Sequence, residues 1–318
     1  MKLDDSNAAI YAAEHGLIKS VDGVRTEPLT GGVSCSAFRL WPHVGEPVVI
    51  KQALPQLRVE KEWFSDPARA HREALMLQLL HAELGPDHVP KLLFEDRGQA
   101  IVVMSSAPLD SENWKVQLLA GHLDMKVAEQ VGRLLARMQK IPGDVVPEDL
   151  RDKTFFYQLR VDAYVLFIAA QHPEYATELR RLAAELMSAT DSLTHADYTP
   201  KNLLVSQGRV IILDFEVGHI GHPAFDVASI ANHLYLKSVR LPERSADYLK
   251  LIEVYLGGYL NELSADLPRD FWPVLGALML ARVLGKSPVE YLDERGKKVV
   301  VETGARLLNG TQGLDALK

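Results

Sequence analysis

Between Thr194 and Asp226 the chain reads THADYTPKNLLVSQGRVIILDFEVGHIGHPAFD. One feature there constrains everything else: the apolar run Val210-Ile211-Ile212-Leu213 stops on a carboxylate, Asp214. Four such residues in a row read as a buried strand. A charge at the end of a buried strand is costly unless something pairs with it. Upstream of the Ser206-Gln207-Gly208 turn, a loop carries His195, Asp197 and Asn202 before the apolar pair Leu203-Leu204. The pattern is loop, strand, turn, strand, loop, with acids and an amide gathered at its ends.

Those residue types at that spacing suit one chemistry. Phosphoryl transfer asks a protein for positioning and charge neutralisation more than for covalent steps. One carboxylate must face the acceptor hydroxyl, while an amide oxygen and a second carboxylate hold magnesium on the nucleotide phosphates. Asp197 supplies the first, and Asn202 and Asp214 the other two. An Asp, an Asn five residues on, then an Asp opening a D-F-x segment (Asp214-Phe215-Glu216) is the kinase order.

HADYTPKN, ILDFE and HPAFDVA together resemble the aminoglycoside-phosphotransferase and choline-kinase superfamily of small-molecule kinases, whose loop reads H-G-D-x-x-x-x-N. The departure is Ala196 where that superfamily usually has glycine. The resemblance implies an α+β, bilobal, protein-kinase-like fold with ATP and Mg2+ as cofactors. It implies a nucleotide-binding N-lobe over residues 1–106 and a mainly helical C-lobe over 107–318. It also implies that Asp226 is a buried acid bracing the catalytic loop, and that His195 is a structural hydrogen-bonding residue. Glu216 reads either as a helper for a second metal or as a solvated acid.

The preceding third of the chain reads as an antiparallel sheet. An amphipathic helix over about 6–19 leads into strand patterns at 24–29, 35–40, 47–52, 90–95 and 99–104, which make five strands. Gly31, Gly32, Val33 and Ser34 join the first two strands, and such a turn either lays N–H groups over phosphates or is a plain hairpin. Lys51 ends the strand Pro47-Val48-Val49-Ile50, resembling the kinase V-A-I-K strand, and otherwise reads as an edge lysine. The kinase reading demands a glutamate on the next helix. Asp66 can cap that helix with Pro67 at its first position, and Ala70, Glu73, Leu77 and Leu80 share a stripe. Glu73 is therefore an acid on an apolar side with Lys51 as its partner; Glu60 and Glu62 are rivals ahead of the cap. Met104, Ser105 and Ser106 lie at the link between lobes, where the resemblance implies backbone contacts to the adenine edge.

From Asp110 on, the pattern turns helical. Val127, Ala128, Val131, Leu134, Leu135 and Met138 form an apolar face, and further helices are expected at 153–170, 173–189, 227–237, 243–262, 271–285 and 289–308. Arg282 shares a stripe with Leu275 and Met279, and reads as closing a salt bridge or as reaching into an acceptor cleft.

Of 318 residues, 47% are hydrophobic, enough for two lobes each with its own core. The net charge of −7 argues against nucleic acid or an anionic membrane as a partner. Cys35 is the single cysteine, so no internal disulfide can form and a reducing compartment is expected. No signal peptide and no membrane-spanning run is read, so the expectation is a cytoplasmic protein whose partner is a small hydroxyl-bearing molecule.

The segment VVIKQALPQLRVEKEWFSDPARAHREA and the later MSSAPLDSENWKVQLLAG, with Trp114 and Lys115, resemble 5-methylthioribose kinases. That branch implies a sugar-like acceptor and a homodimer. An aminoglycoside or other antibiotic as acceptor, or a catalytically silent nucleotide-binding scaffold, are the alternatives; an acidic acceptor pocket would favour the antibiotic.

Overall fold

The structure is a computed structural model, and it describes residues 1–29, 32–58 and 62–318. Gly31 and the rival acid Glu60 lie outside the described residues.

Five strands, β1 (Arg25–Pro28), β2 (Cys35–Trp41), β3 (Val48–Ala53), β4 (Leu92–Asp96) and β5 (Ile101–Ser105), form one antiparallel sheet in the order β1-β2-β3-β5-β4. Side chains alternate across such a sheet, so its two faces are separate surfaces. On one face Phe38, Leu40, Val48, Ile50, Ile101 and Val103 pack with Ala8, Tyr11 and Ala12 of helix α1 (Ala8–Glu14). Lys51 follows Ile50 and so belongs to the opposite face. There Val102 and Met104 join Ala70, Ala74, Leu77 and Leu80 of α2 (Arg69–Leu84).

This second core runs on without a break to Leu317. The two cores therefore lie on opposite faces of the sheet. The physical reason for the second core's continuity is α2, which presents apolar residues to the sheet and to the helical part at once. The Asp66 carboxylate does accept the N–H of Ala68, at 2.9 Å, but the regular helix starts only at Arg69.

The helical part begins with α3 (Trp114–Leu119) and α4 (Met125–Gln139). Asp124 caps α4 by accepting the N–H of Lys126 at 2.8 Å, and the expected face of Val127, Ala128, Val131, Leu134, Leu135 and Met138 is buried. Gly132 lets α4 touch the helix Ser245–Leu263: a Cβ there would stand 2.2 Å from the Tyr255 carbonyl oxygen. Gly258 makes the reciprocal approach, 2.4 Å from the Glu129 carbonyl. Gly132→Ala gains about 1 kcal/mol of helix propensity but must push two backbones apart. The expected net result is a loss of about 1–3 kcal/mol in urea unfolding, as for other overpacked contacts.

Two expected helices differ. The stretch 153–170 is helical but wide in its middle, with i→i+5 geometry over Tyr157–Leu166 between short α-helical ends. The last helix starts at Glu294 and not at residue 289, because Asp293 caps it by accepting the Gly296 N–H at 2.7 Å. Among the described residues no helix is long and apolar enough to cross a membrane.

Candidate active site

The loop carrying Asp197 follows the short strand Ser192–Thr194 and is held from beneath. Asp226, in the first turn of the helix Ala224–Arg240, accepts the N–H of His195 at 2.6 Å and of Ala196 at 2.8 Å. Burial pushes the Asp226 carboxyl up to about 7 against the pull of those N–H groups. Ala196 has φ +60, the left-handed region that glycine enters without strain, which accounts physically for glycine being usual there. The His195 ring joins two parts of the site. Its Nδ1 accepts the Asp197 N–H at 3.2 Å, and its Nε2 donates to the Leu213 carbonyl at 3.0 Å. Burial also lowers its pKa, so it is a neutral strut.

Asp197 sits between two cations. Arg160 Nη2 stands 2.9 Å from its Oδ1 and Lys201 Nζ 2.9 Å from its Oδ2. Arg160 is buried and also donates from Nε to the Ala196 carbonyl at 2.7 Å. Burial by itself would raise the Asp197 pKa; Arg160 and Lys201 more than offset it and hold the carboxyl below the usual range. Asn202 fixes the other side, its Nδ2 donating to the Asp197 carbonyl at 3.0 Å and to Oδ2 at 2.7 Å.

Asp214 reaches this place through a hairpin. Leu203–Ser206 pairs with Arg209–Ile212, and one residue further the Leu213 N–H donates to the Asn202 carbonyl at 2.9 Å. Asp214 therefore emerges alongside Asn202, with a left-handed φ of +69. Such a conformation in a non-glycine residue costs of order 1–3 kcal/mol and persists where the surroundings impose it. Lys51 Nζ lies 2.8 Å from Asp214 Oδ1 and 2.6 Å from Glu73 Oε1. Burial opposes the Lys51 charge, but Asp214 and Glu73 hold its pKa well above the ordinary value. Burial raises Glu73 against the pull of Lys51. For Asp214 too, burial is opposed by Lys51 and then Lys201, and the cations win: its pKa is lowered.

Asn202 Oδ1 and Asp214 Oδ2 accept no hydrogen bond among the described residues. Hard oxygen donors without a partner are what Mg2+ takes, so the residues present fit that ion.

Glu216 is not a solvated acid. It is buried, and its Oε2 takes the Nε–H of Arg69 at 3.0 Å. Arg69 in turn donates to the Ser34 carbonyl at 2.6 Å and the Leu54 carbonyl at 2.7 Å. One guanidinium thus ties the glycine turn, the end of β3 and the segment after Asp214 together. Gly32 and Val33 are exposed and Ser34 is buried, with the Val33 carbonyl accepting the Arg58 N–H at 2.9 Å. At the expected adenine edge, Met104 is buried in β5, while the Ser105 N–H donates to Lys91 at 2.9 Å and the Ser106 N–H to Pro47 at 3.2 Å. Those two N–H groups are engaged within the protein, which leaves the carbonyls of this segment as its backbone groups for a base.

Arg160, Lys201 and Arg69 were not selected from the sequence. The signal for Arg160 and Arg69 is weak, because both partners, Asp197 and Glu216, lie far along the chain. Lys201, four residues after Asp197, was within reach of the spacing argument.

A profile of the phosphotransferase enzyme family (APH) matches residues 25–260, which includes Lys51, Glu73 and the whole of the Asp197 and Asp214 region. The chain belongs to the phosphotransferase enzyme family. Two curated relatives, methylthioribose kinases of Pectobacterium atrosepticum and Pectobacterium carotovorum, are 26% and 27% identical over 266 and 267 residues, in each case 74% of this chain. The matched part spans 66% of each of those relatives' lengths. Among solved structures, a macrolide 2'-phosphotransferase from Brachybacterium faecium superposes over 96% of this chain and 98% of its own with TM-score 0.53 and 17% identity. A choline kinase from Streptococcus pneumoniae does so over 96% and 100% with TM-score 0.55 and 13% identity. These family members share the α+β, protein-kinase-like fold described above.

Proposed function

We propose that this family member is an ATP-dependent small-molecule kinase that moves the γ-phosphoryl group to a hydroxyl of a sugar-like acceptor. The observation that carries the reading is Asn202, whose Nδ2 donates to Asp197 Oδ2 at 2.7 Å while its carbonyl accepts the N–H of Leu213, the neighbour of Asp214, at 2.9 Å. The two carboxylates therefore serve one space, with the unbonded oxygens of Asn202 and Asp214 beside Lys51. In this reading residues 1–106 bind the nucleotide and 107–318 carry the catalytic loop and the acceptor.

Asn202 and Asp214 would hold Mg2+, which neutralises charge on the phosphate oxygens. Lys51, fixed by Glu73, and the Gly31–Ser34 turn steady the phosphates. Asp197 orients the acceptor hydroxyl and accepts its proton as the acceptor oxygen bonds the γ-phosphorus. The bond from phosphorus to the leaving oxygen breaks, and ADP departs with that electron pair. A carboxylate held acidic by two cations is a weak base, which suits a loose transition state in which the proton leaves late.

The relatives named methylthioribose kinase support a sugar-like acceptor. The test is transfer from γ-labelled ATP to methylthioribose, choline, homoserine, glycerate and an aminoglycoside. Magnesium-dependent labelling of an organic acceptor is expected. Release of label to water alone, or no turnover of ATP, would overturn the reading.

A further inference from the structure

On the far side of Lys201 from Asp197 the surroundings become cationic. Lys237 lies one turn after His233 on the helix Ala224–Arg240, and its side chain is fully buried. Its Nζ donates to the His233 carbonyl at 3.1 Å and stands 5.7 Å from the centre of the Tyr291 ring. Arg282, which reads as closing a salt bridge or as reaching into an acceptor cleft, meets only a hydroxyl among the described residues: Nη1 lies 3.3 Å from Ser287 Oγ. Its Nε is buried without a partner, and so is the Tyr291 hydroxyl. Among the described residues no carboxylate pairs with Lys237, Arg282 or Lys115.

Lys237 and Arg282 sit on two helices packed together, Ala224–Arg240 and Phe271–Leu284, and α3 with Lys115 packs on the turn Pro200–Asn202 that carries Lys201. His233 lies within electrostatic reach of Lys237, Arg282, Lys201 and Lys115; burial and then those charges hold its pKa well below the ordinary value. Lys115 on α3 and Lys201 are exposed, and Lys201 touches Asp197. Glu290, also exposed, is the acid whose charge reaches Lys115. Lys286 stands apart, 3.7 Å from Asp162. Burial, then Lys115 and Arg282, bring the Lys237 ammonium down to about 7.

A buried ammonium without a counter-charge is strongly disfavoured, and buried donors without acceptors are rare. Here α3, the catalytic loop, two long helices and the loop at Tyr291 converge to make both. The missing partner has to be an acceptor-rich anion from outside the chain. Resting on the kinase reading above, we propose that the acceptor carries an oxyanion, a carboxylate or a phosphate ester, held by the exposed Lys115 and Lys201 and the half-buried Arg282 guanidinium, in the field of the buried Lys237, while its own hydroxyl meets Asp197. A choline or an aminoglycoside would face like charge there, and a neutral sugar would leave Lys237 uncompensated.

Inorganic phosphate is the probe that separates this claim from the transferase reading. Titrated calorimetrically into the full chain at pH 8, it should bind with uptake of a proton, since an anion restores the Lys237 charge. Arg282→Met should weaken that binding about tenfold or more, as for loss of a charge-assisted contact, and Lys237→Met should abolish the proton uptake. Lys237→Met should also raise the melting temperature of the ligand-free protein, because it removes an uncompensated buried cation. A purely structural lysine would give the opposite sign.

Phosphate binding lost in Lys51→Met but kept in Arg282→Met would place the anion on the nucleotide side and overturn the proposal. In the transfer assay, glycerate or glycerol 3-phosphate should be used with higher kcat/KM than methylthioribose, choline or kanamycin. The reverse order would also overturn it. Arg282-dependent phosphate binding with no transfer to any acceptor would leave the anion site standing and remove the transferase reading.

Discussion

Asp197→Asn should lower turnover by at least ~100-fold while Mg-ATP affinity is retained, the signature of losing a positioned acid–base group. The substitution keeps the shape of the side chain and removes its charge. It acts on a carboxylate that has a cation on each oxygen, Arg160 at 2.9 Å and Lys201 at 2.9 Å. With an amide in its place, both cations lose their partner, and the acceptor hydroxyl loses the atom that takes its proton. Arg160 is buried, so a fall in melting temperature accompanies the change; removing one partner of a buried pair commonly costs about 3–5 kcal/mol. Turnover and nucleotide affinity must therefore be measured on the same folded sample. Full turnover in the variant would remove Asp197 from the chemistry.

Asp214→Asn should abolish the extra thermal stabilisation that Mg2+ adds to ATP. Ligand at about 100 times its dissociation constant stabilises a protein by roughly 2.7 kcal/mol, so the lost shift is large enough to read in a melting curve. Asparagine is preferred to alanine here because Asp214 sits at φ +69, a region asparagine tolerates and alanine resists. The change leaves Lys51 paired with Glu73 alone. A magnesium-dependent shift equal to that of the unaltered chain would deny Asp214 its metal role.

The sign of the acid dependence follows from the same ion pair. The Asp214 carboxyl is held below its ordinary pKa in the folded chain, so the stability it contributes is present above the unfolded value of about 3.9. That stability is lost as pH falls through the lower folded pKa, which confines its loss to strong acid. Across neutral pH the Lys51–Asp214 contact stays ionised.

Much of the frame was legible because it rests on local periodicity. The five strands are short apolar or alternating runs bounded by turns, α4 carries its apolar residues at helical spacing, and the order Asp197, Asn202, Asp214 lies within one short stretch. The Lys51–Glu73 pair could also be read, since Lys51 follows an apolar strand and Glu73 sits on an apolar helical face. What could not be read are contacts between residues far apart in the chain. Arg69 meets Glu216 across 147 positions, which makes a buried ion-pair partner of an acid that reads as a metal helper or as solvated. The widened turn over Tyr157–Leu166 carries Arg160 to Asp197, although that stretch reads as an ordinary helix. Arg282 looks from its stripe like one half of a salt bridge, and only the arrangement of neighbouring elements leaves it without an acid.

The sequence by itself determined the family chemistry, because the groups that handle a phosphoryl transfer sit at set intervals on one loop and one hairpin. Tertiary structure alone decided the charge of the place where an acceptor would lie. That charge is a sum over α3, the catalytic loop, the helices Ala224–Arg240 and Phe271–Leu284 and the loop at Tyr291, which are separated along the chain and meet only when the core closes. Electrostatic energy depends on distance and burial, and neither can be read from spacing along the chain.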